Sequence, residues 1–258
     1  MREATMKEKL HFFDCNCSIG RTGYPHLLDI SDVQGLKREM EIAGIEEALV
    51  YHSISRDAHP PLGNSLLLEK IKDMKELHPV WVVIPHHTKE MDRPEKLLKE
   101  MKKKGIKAVR MYPTRNYHSF SLSEWSSGEL LSSLEGSRVP LILDIEIVSW
   151  EDVQAILKSH PKLPLVVSNC SYRHNRFIYP LLEKNNNLYI EISRFMGGGA
   201  IEDLVRRFGA HSLLFGTNMP HYTGTAAVAL LTYADIEDRE KEAIASGNLR
   251  NIIEEMWP

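Results

Sequence analysis

Two hydrophobic periods alternate along this chain. Short runs rich in β-branched and aromatic residues suit strands, and each is followed by a longer segment whose apolar residues recur at helical spacing. Leu10-His11-Phe12-Phe13 is the first run. A loop rich in Gly, Pro and His covers 20–30, and a helix is expected from Ser31, its N-cap, to Ala43, with Gly44 as its stop. Ile45 to Tyr51 is the second strand. After the Pro60-Pro61 break, Leu66, Leu67, Ile71, Met74 and Leu77 repeat at helical spacing. Val80 to Ile84 is the third strand, followed by a helix over Pro94 to Lys104 with Pro94 in its first turn and Gly105 as its C-terminal cap. Ile106 to Met111 is the fourth, and Ser121-Leu122-Ser123-Glu124 has the capping-box spacing that opens a helix. Val139 to Leu143, Leu163 to Val167, Leu188 to Ile192 and His211 to Phe215 complete the strands. Start signals at Ser149-Trp150-Glu151-Asp152 and a helix over Ile201 to Phe208 lie between them.

Eight strand-then-helix repeats without a linker-like tract predict one domain over residues 1–258, an α/β fold of the (β/α)8 TIM-barrel type. Continuously apolar strands suit a parallel sheet covered on both faces. The rival is an open doubly wound sheet. No G-x-G-x-x-G follows the first strand, however, and Gly197-Gly198-Gly199 reads equally well as a loop before a helix.

In a barrel the last residues of the strands converge on one mouth. Here they are polar. Asp14-Cys15-Asn16-Cys17-Ser18-Ile19-Gly20 ends the first apolar run, and Asp144, Asn169, Glu191 and Asn218 are placed similarly on later ones. Strand alternation puts Asn16 and Ser18 on one face, with Cys15 and Cys17 together on the other as buried small side chains. Glu146 shares the face of Asp144 if that strand continues, and Arg194 is close enough in sequence to neutralise Glu191. Arg110, two residues before Tyr112, is the arginine expected to face inward. Arg115, Arg173, Arg176 and Arg194 also lie near strand ends, where guanidinium groups can hold a carboxylate. His52, His86, His87, His118, His174 and His221 fall on the same rim without metal-binding spacing.

Composition narrows the function class. With 43% hydrophobic and 26% charged residues and a net charge of -3, the chain has no global bias toward nucleic acid or membrane. The expected partner is a small molecule, and a homo-oligomer is left open. Three cysteines in 258 residues argue against a disulfide framework, and the charged N-terminus carries neither a signal nor an anchor. A cytoplasmic location is expected.

The chain resembles the amidohydrolase-related branch of the amidohydrolase superfamily over nearly its whole length. The resemblance is carried by Phe13 to Gly20, Ile106 to Pro113, Pro140 to Asp144, Leu188 to Arg194, and most specifically Leu213-Leu214-Phe215-Gly216-Thr217-Asn218-Met219-Pro220 with Ile244-Ala245-Ser246-Gly247-Asn248 downstream. It implies a (β/α)8 barrel holding one or two divalent metals and hydrolysing amide or ester bonds, with decarboxylases and hydratases among its members. This chain departs from the pattern. The family's paired first-strand histidines are Asn16 and Ser18, its later histidines are Asp144 and Asn169, and its eighth-strand aspartate is Asn218.

Amide oxygens are poor ligands for zinc-type ions, and without an ion nothing pulls the pKa of water from about 15.7 toward ~7. No cofactor and no metal-ligating set are therefore expected. Any metal would be a weakly held Zn, Mg or Ca ion near Asp144. The expected function is a hydrolase-like enzyme, with lyase or decarboxylase chemistry open, acting on a small anionic molecule at a degenerate metal site. Asp144, His86, Glu191 and His221 are the catalytic candidates. Asn16, Ser18, His52, Arg110, Asn169, Arg194 and Asn218 are the candidates for substrate binding. The alternative is a non-catalytic barrel that binds a small molecule.

Overall fold

Eight parallel strands follow one another in chain order around one sheet: β1 (Phe13–Ile19), β2 (Glu47–His52), β3 (Leu77–Val82), β4 (Ala108–Arg110), β5 (Leu141–Asp144), β6 (Leu165–Ser168), β7 (Leu188–Glu191) and β8 (Leu213–Leu214). The structure, a computed structural model, describes residues 10–21 and 32–258. Cys15 N donates to Phe215 O at 3.0 Å and Ser18 N to Met219 O at 2.9 Å, so the first strand meets the last and the barrel closes. Helices on the outside link each strand to the next, as the alternation of periods requires.

Two apolar layers result. One lies between strands and helices and includes Leu36, Val50, Trp81, Val109, Leu141, Val167 and Phe215. The other fills the lumen with Phe13, Leu49, Val80, Val82, Ala108, Ile142, Val166 and Leu214. Leu249 and Ile252 of the last helix (Asn248–Glu254) join the lumen layer and form its floor. Arg250 of that helix lies 5.3 Å over the Phe13 ring and pairs with Glu47. The polar strand ends are left at the opposite opening.

Local signals account for most element ends. Pro94 opens its helix and Gly105 closes it at φ 69°. Ser149 and Asp152 form a reciprocal capping box. Asn248 is held because its amide donates to Ala210 O at 2.8 Å and Leu213 O at 2.9 Å, tying the floor helix to β8.

Several boundaries differ from the sequence reading, each for a physical reason. β1 starts at Phe13 and runs through the polar stretch, because Asp14, Asn16 and Ser18 have buried surroundings. Asp32 caps the first described helix by accepting from Gly35 N, and Ser31 lies outside the described residues. Pro60 and Pro61 belong to the helix (Pro60–Ile71) as its first turn and are not a break ahead of it, since a first turn has no use for their missing N–H groups. Leu77 consequently opens β3. Ser123 takes the N-cap position of the helix after β4 without a side-chain cap bond, and Glu124 is its first residue, turned to meet His160 Nε2 at 2.8 Å.

A bulge in β1 also breaks strict alternation. The register with β2 shifts between Asp14 and Cys17, and Asn16 N donates to Asp14 Oδ1 at 2.8 Å. Cys15 thereby packs in the lumen and Cys17 in the outer layer, so the two thiols do not share a face.

Candidate functional site

The mouth is built from residues that the strands carry inward at or just past their C-terminal ends. Arg110 is the last residue of β4 and is paired in register with Val82 and Ile142, both of the lumen layer. Its side chain is 3% exposed. Nη2 donates to Asn16 Oδ1 at 2.7 Å, Nη1 reaches Tyr112 OH at 3.4 Å, and the guanidinium lies 4.8 Å over the Tyr51 ring. Its buried Nε–H has no hydrogen-bond partner among the described residues. Burial opposes the charge on Arg110, but Tyr112, Tyr51 and Asp144 outweigh it and hold the group cationic.

Glu191, the last residue of β7, lies fully buried and is linked to this cation through the Asn16 amide. Asn16 Nδ2 donates to it at 3.2 Å, Asn169 N at 3.2 Å and Ser193 Oγ at 3.0 Å, with Ser193 N a fourth donor. Gly216 makes room for it: a Cβ there would lie 2.6 Å from Glu191 Cγ. Burial raises the pKa of Glu191, partly offset by the Ser193 backbone and hydroxyl donors.

A second chain of bonds runs along the other side. Asn218 Nδ2 donates to Asn169 Oδ1 at 2.7 Å, and Asn169 Nδ2 donates to Asp144 Oδ2 at 2.6 Å. Glu146 N donates to the other Asp144 oxygen at 2.9 Å. Burial raises the Asp144 pKa against the pull of Glu146 N and Arg110. Asn169 and Asn218 both have left-handed backbones, at φ 60° and 57°, a conformation asparagine adopts more readily than most residues.

Six of the residues expected at the site are therefore connected: Arg110, Asn16 and Glu191 in one chain, and Asn218, Asn169 and Asp144 in the other, with Asn169 N bridging to Glu191. Ser18 is buried in register with Tyr51. The other candidates take the following places. His52 is buried and caps the helix after β2 by accepting from Ile54 N at 3.2 Å, and burial with nearby Lys70 lowers its pKa. His86 Nε2 lies 3.8 Å from Glu129, on the helix after β4, with its ring 4.4 Å from that of His87. His221 is an exposed turn residue whose N–H donates to Asn218 O.

Arg194 pairs with Glu146, not with Glu191, and lies 5.8 Å over the Tyr222 ring. Glu146 meets it from a turn, since β5 ends at Asp144.

Sequence reasoning passed over Arg56 and the role of Tyr51. Arg56 Nη1 donates to Tyr51 OH at 3.2 Å while its Nε pairs with Asp57 at 2.6 Å, so Tyr51 links two guanidinium groups. An aromatic at the end of β2 followed by an arginine in the next turn was the available signal. Asp14 was visible as a strand-end acid. Its role is to accept from Cys17 Sγ at 3.0 Å and from Thr217 N at 3.1 Å, which locks β1 to the segment after β8.

The donor set does not suit a divalent metal. Among the described residues no three His, Cys, Asp or Glu side chains are grouped to hold one. The Asn16 oxygen is taken by a guanidinium, and N–H donors already occupy both Asp144 oxygens and both Glu191 oxygens. A fixed cation within this ring also repels another.

The family model described as amidohydrolase matches residues 64–250. No curated protein matches the sequence. Among solved structures, an uncharacterised TIM-barrel protein from Bordetella bronchiseptica superposes with a TM-score of 0.73 at 17% identity, covering 95% of this chain and 99% of that one. A proposed 2-pyrone-4,6-dicarboxylic acid hydrolase from Pseudomonas putida gives 0.69 at 15% identity, covering 96% and 98%. A dihydroxybenzoic acid decarboxylase from a Polaromonas species, with bound manganese and the inhibitor 2-nitroresorcinol, gives 0.66 at 14% identity, covering 95% and 97%. At these identities the likeness is one of fold.

Proposed function

The chain belongs to the amidohydrolase family, and from that premise we propose that it is an enzyme acting on a small anionic molecule at the barrel mouth, without the family's divalent metal centre. The observation that carries this reading is the buried Arg110 Nε–H with no acceptor among the described residues. A charged donor left unmade in a dry site costs about 1–3 kcal/mol or more, and a ligand carboxylate would recover it. Two structural neighbours point the same way, one a proposed hydrolase of a dicarboxylic acid and one a decarboxylase of an aromatic acid.

Asp144 is the proton-transfer group in this reading. It is less enclosed than Glu191, and burial keeps its proton to higher pH than an ordinary carboxyl. Such a group contributes roughly 10²- to 10⁴-fold to a hydrolytic or carbon-carbon cleavage step. Asn218 and Asn169 orient it through their chain of amide donors, and Arg194 with Glu146 forms the charged rim outside it.

The test is a panel of small mono- and dicarboxylic acids, read by melting temperature and by product mass. Stabilisation by a carboxylate is expected, with turnover that survives a chelator and falls about 10²-fold or more in Asp144→Asn. Turnover abolished by chelation would overturn the reading. The N–H donors on every oxygen of both carboxylates favour a second reading, a binding barrel without turnover. Ligands that raise the melting temperature and yield no product in any arm would select it.

A further inference from the structure

We propose that Arg110 is the resident cation of this mouth, taking the electrostatic place of a divalent metal and keeping the site closed to one. The inference deepens the functional reading above and rests on it for the nature of the substrate. The question of the cation can be answered with no substrate present.

The directions of the hydrogen bonds carry the argument. A guanidinium has donors only, so the group Asn16 turns toward Arg110 must be its oxygen, and its Nδ2 then faces Glu191. The amide thus acts as a dipole aligned between a positive and a negative group. On the other side, Asn218 and Asn169 present their N–H groups in sequence toward Asp144. Each amide is oriented as it should be if the positive end of the network is fixed at Arg110 and the negative ends lie at Glu191 and Asp144. An imidazole at Asn16 or a carboxylate at Asn218 would break that order, the first by removing the carboxamide oxygen that accepts from Arg110, the second by removing a donor.

The signs of the charges agree. Asp14, Glu191 and Asp144 are carboxyls in the barrel wall and mouth, in excess over the one buried guanidinium, Arg110, whose charge acts on Asp144. Burying ionised carboxylates without a counter-charge is costly, and here a protein side chain supplies it. Arg110 cannot be deprotonated and cannot dissociate, unlike a bound ion. Its unpartnered Nε–H then binds one oxygen of an anion by a directional hydrogen bond, where a metal would bind by coordination.

Removing the guanidinium should expose what it covers. Asn16 Oδ1 would lose its 2.7 Å donor and Asp144 the cation that lowers its pKa, leaving one freed amide oxygen and the remaining lone pairs of the carboxylates with no cation. An all-oxygen set of this kind suits a hard ion such as Mn2+ over Zn2+.

The experiment is calorimetric titration of Mn2+ alone, and separately Zn2+ alone, into wild type, Arg110→Lys and Arg110→Met, with melting curves for each. Wild type and the lysine variant should take up no stoichiometric Mn2+. The methionine variant should bind one equivalent at least ~10-fold more tightly than wild type, and Zn2+ more weakly than Mn2+. A stoichiometric Mn2+ site in wild type overturns the proposal, as does a folded Arg110→Met with no gain over wild type. If the methionine variant is unfolded alone, Mn2+ present during refolding should restore its native circular dichroism, and failure to do so counts against the proposal equally. Failure of the carboxylate panel changes none of these outcomes, so the two readings fail separately.

Discussion

Glu191 has four hydrogen-bond donors and a glycine cleared to admit it, yet its burial still makes ionisation costly. The folded chain therefore holds this proton at pH values where the unfolded chain has released it. Stability from the group is complete below its ordinary value of 4.5 and is lost as pH rises through the raised value. Replacing it by Gln should flatten that part of the profile. Urea unfolding of wild type and Glu191→Gln, compared from 4.5 to neutrality, should show a difference that varies with pH, and a constant difference would contradict the account. At this scale the sequence was informative where polarity interrupted an apolar run: Arg110, Asp144, Asn16, Asn169 and Asn218 all emerge that way. The aromatic and the arginine after it hinted at Arg56 with Tyr51, but the bond to Tyr51 OH itself depends on the path of a short helix after β2. The sequence could not tell that His86 turns toward Glu129, since a rim histidine has the same signature whichever way it faces.

The strands were legible in number and order, and element ends and the short helix Ser53–Asp57 less so. All eight strands and the parallel topology follow from hydrophobic period alone. Displaced ends trace to side chains serving tertiary partners, as Glu124 does with His160. The bulge in β1 was hidden for a similar reason, since it depends on Asp14 accepting from Asn16 N and from Thr217, more than two hundred residues away in sequence. Asn248 is the clearest joint between elements, with one amide donating to the backbone carbonyls of both Ala210 and Leu213. Asn248→Ala should cost about 1–3 kcal/mol in urea unfolding, and an unchanged midpoint would show that the joint is dispensable.

For the whole molecule, the lumen is a packed interior whose lower end is sealed by the last helix. Leu249, 2% exposed, contacts the same cluster as Phe13 and Leu214. Leu249→Ala should lower stability by about 2–5 kcal/mol, with the loss set by how far the floor can collapse. A loss below that range in thermal or chemical denaturation would mean that the helix caps the barrel without being part of its core. No helix among the described residues is long and apolar enough to cross a membrane. The family could be read from the sequence because its motifs sit at conspicuous strand ends. The chemistry could not, because it depends on which way each amide is turned.

A base packed by Leu249 and Ile252 closes the barrel axis at that end. A small molecule that reaches Arg110 has to come and go on the side of the strand ends, with no rear exit past Leu249. Traffic is then one at a time, and a spent molecule slow to leave would bar the next, showing itself as competition between the two forms for the same vestibule.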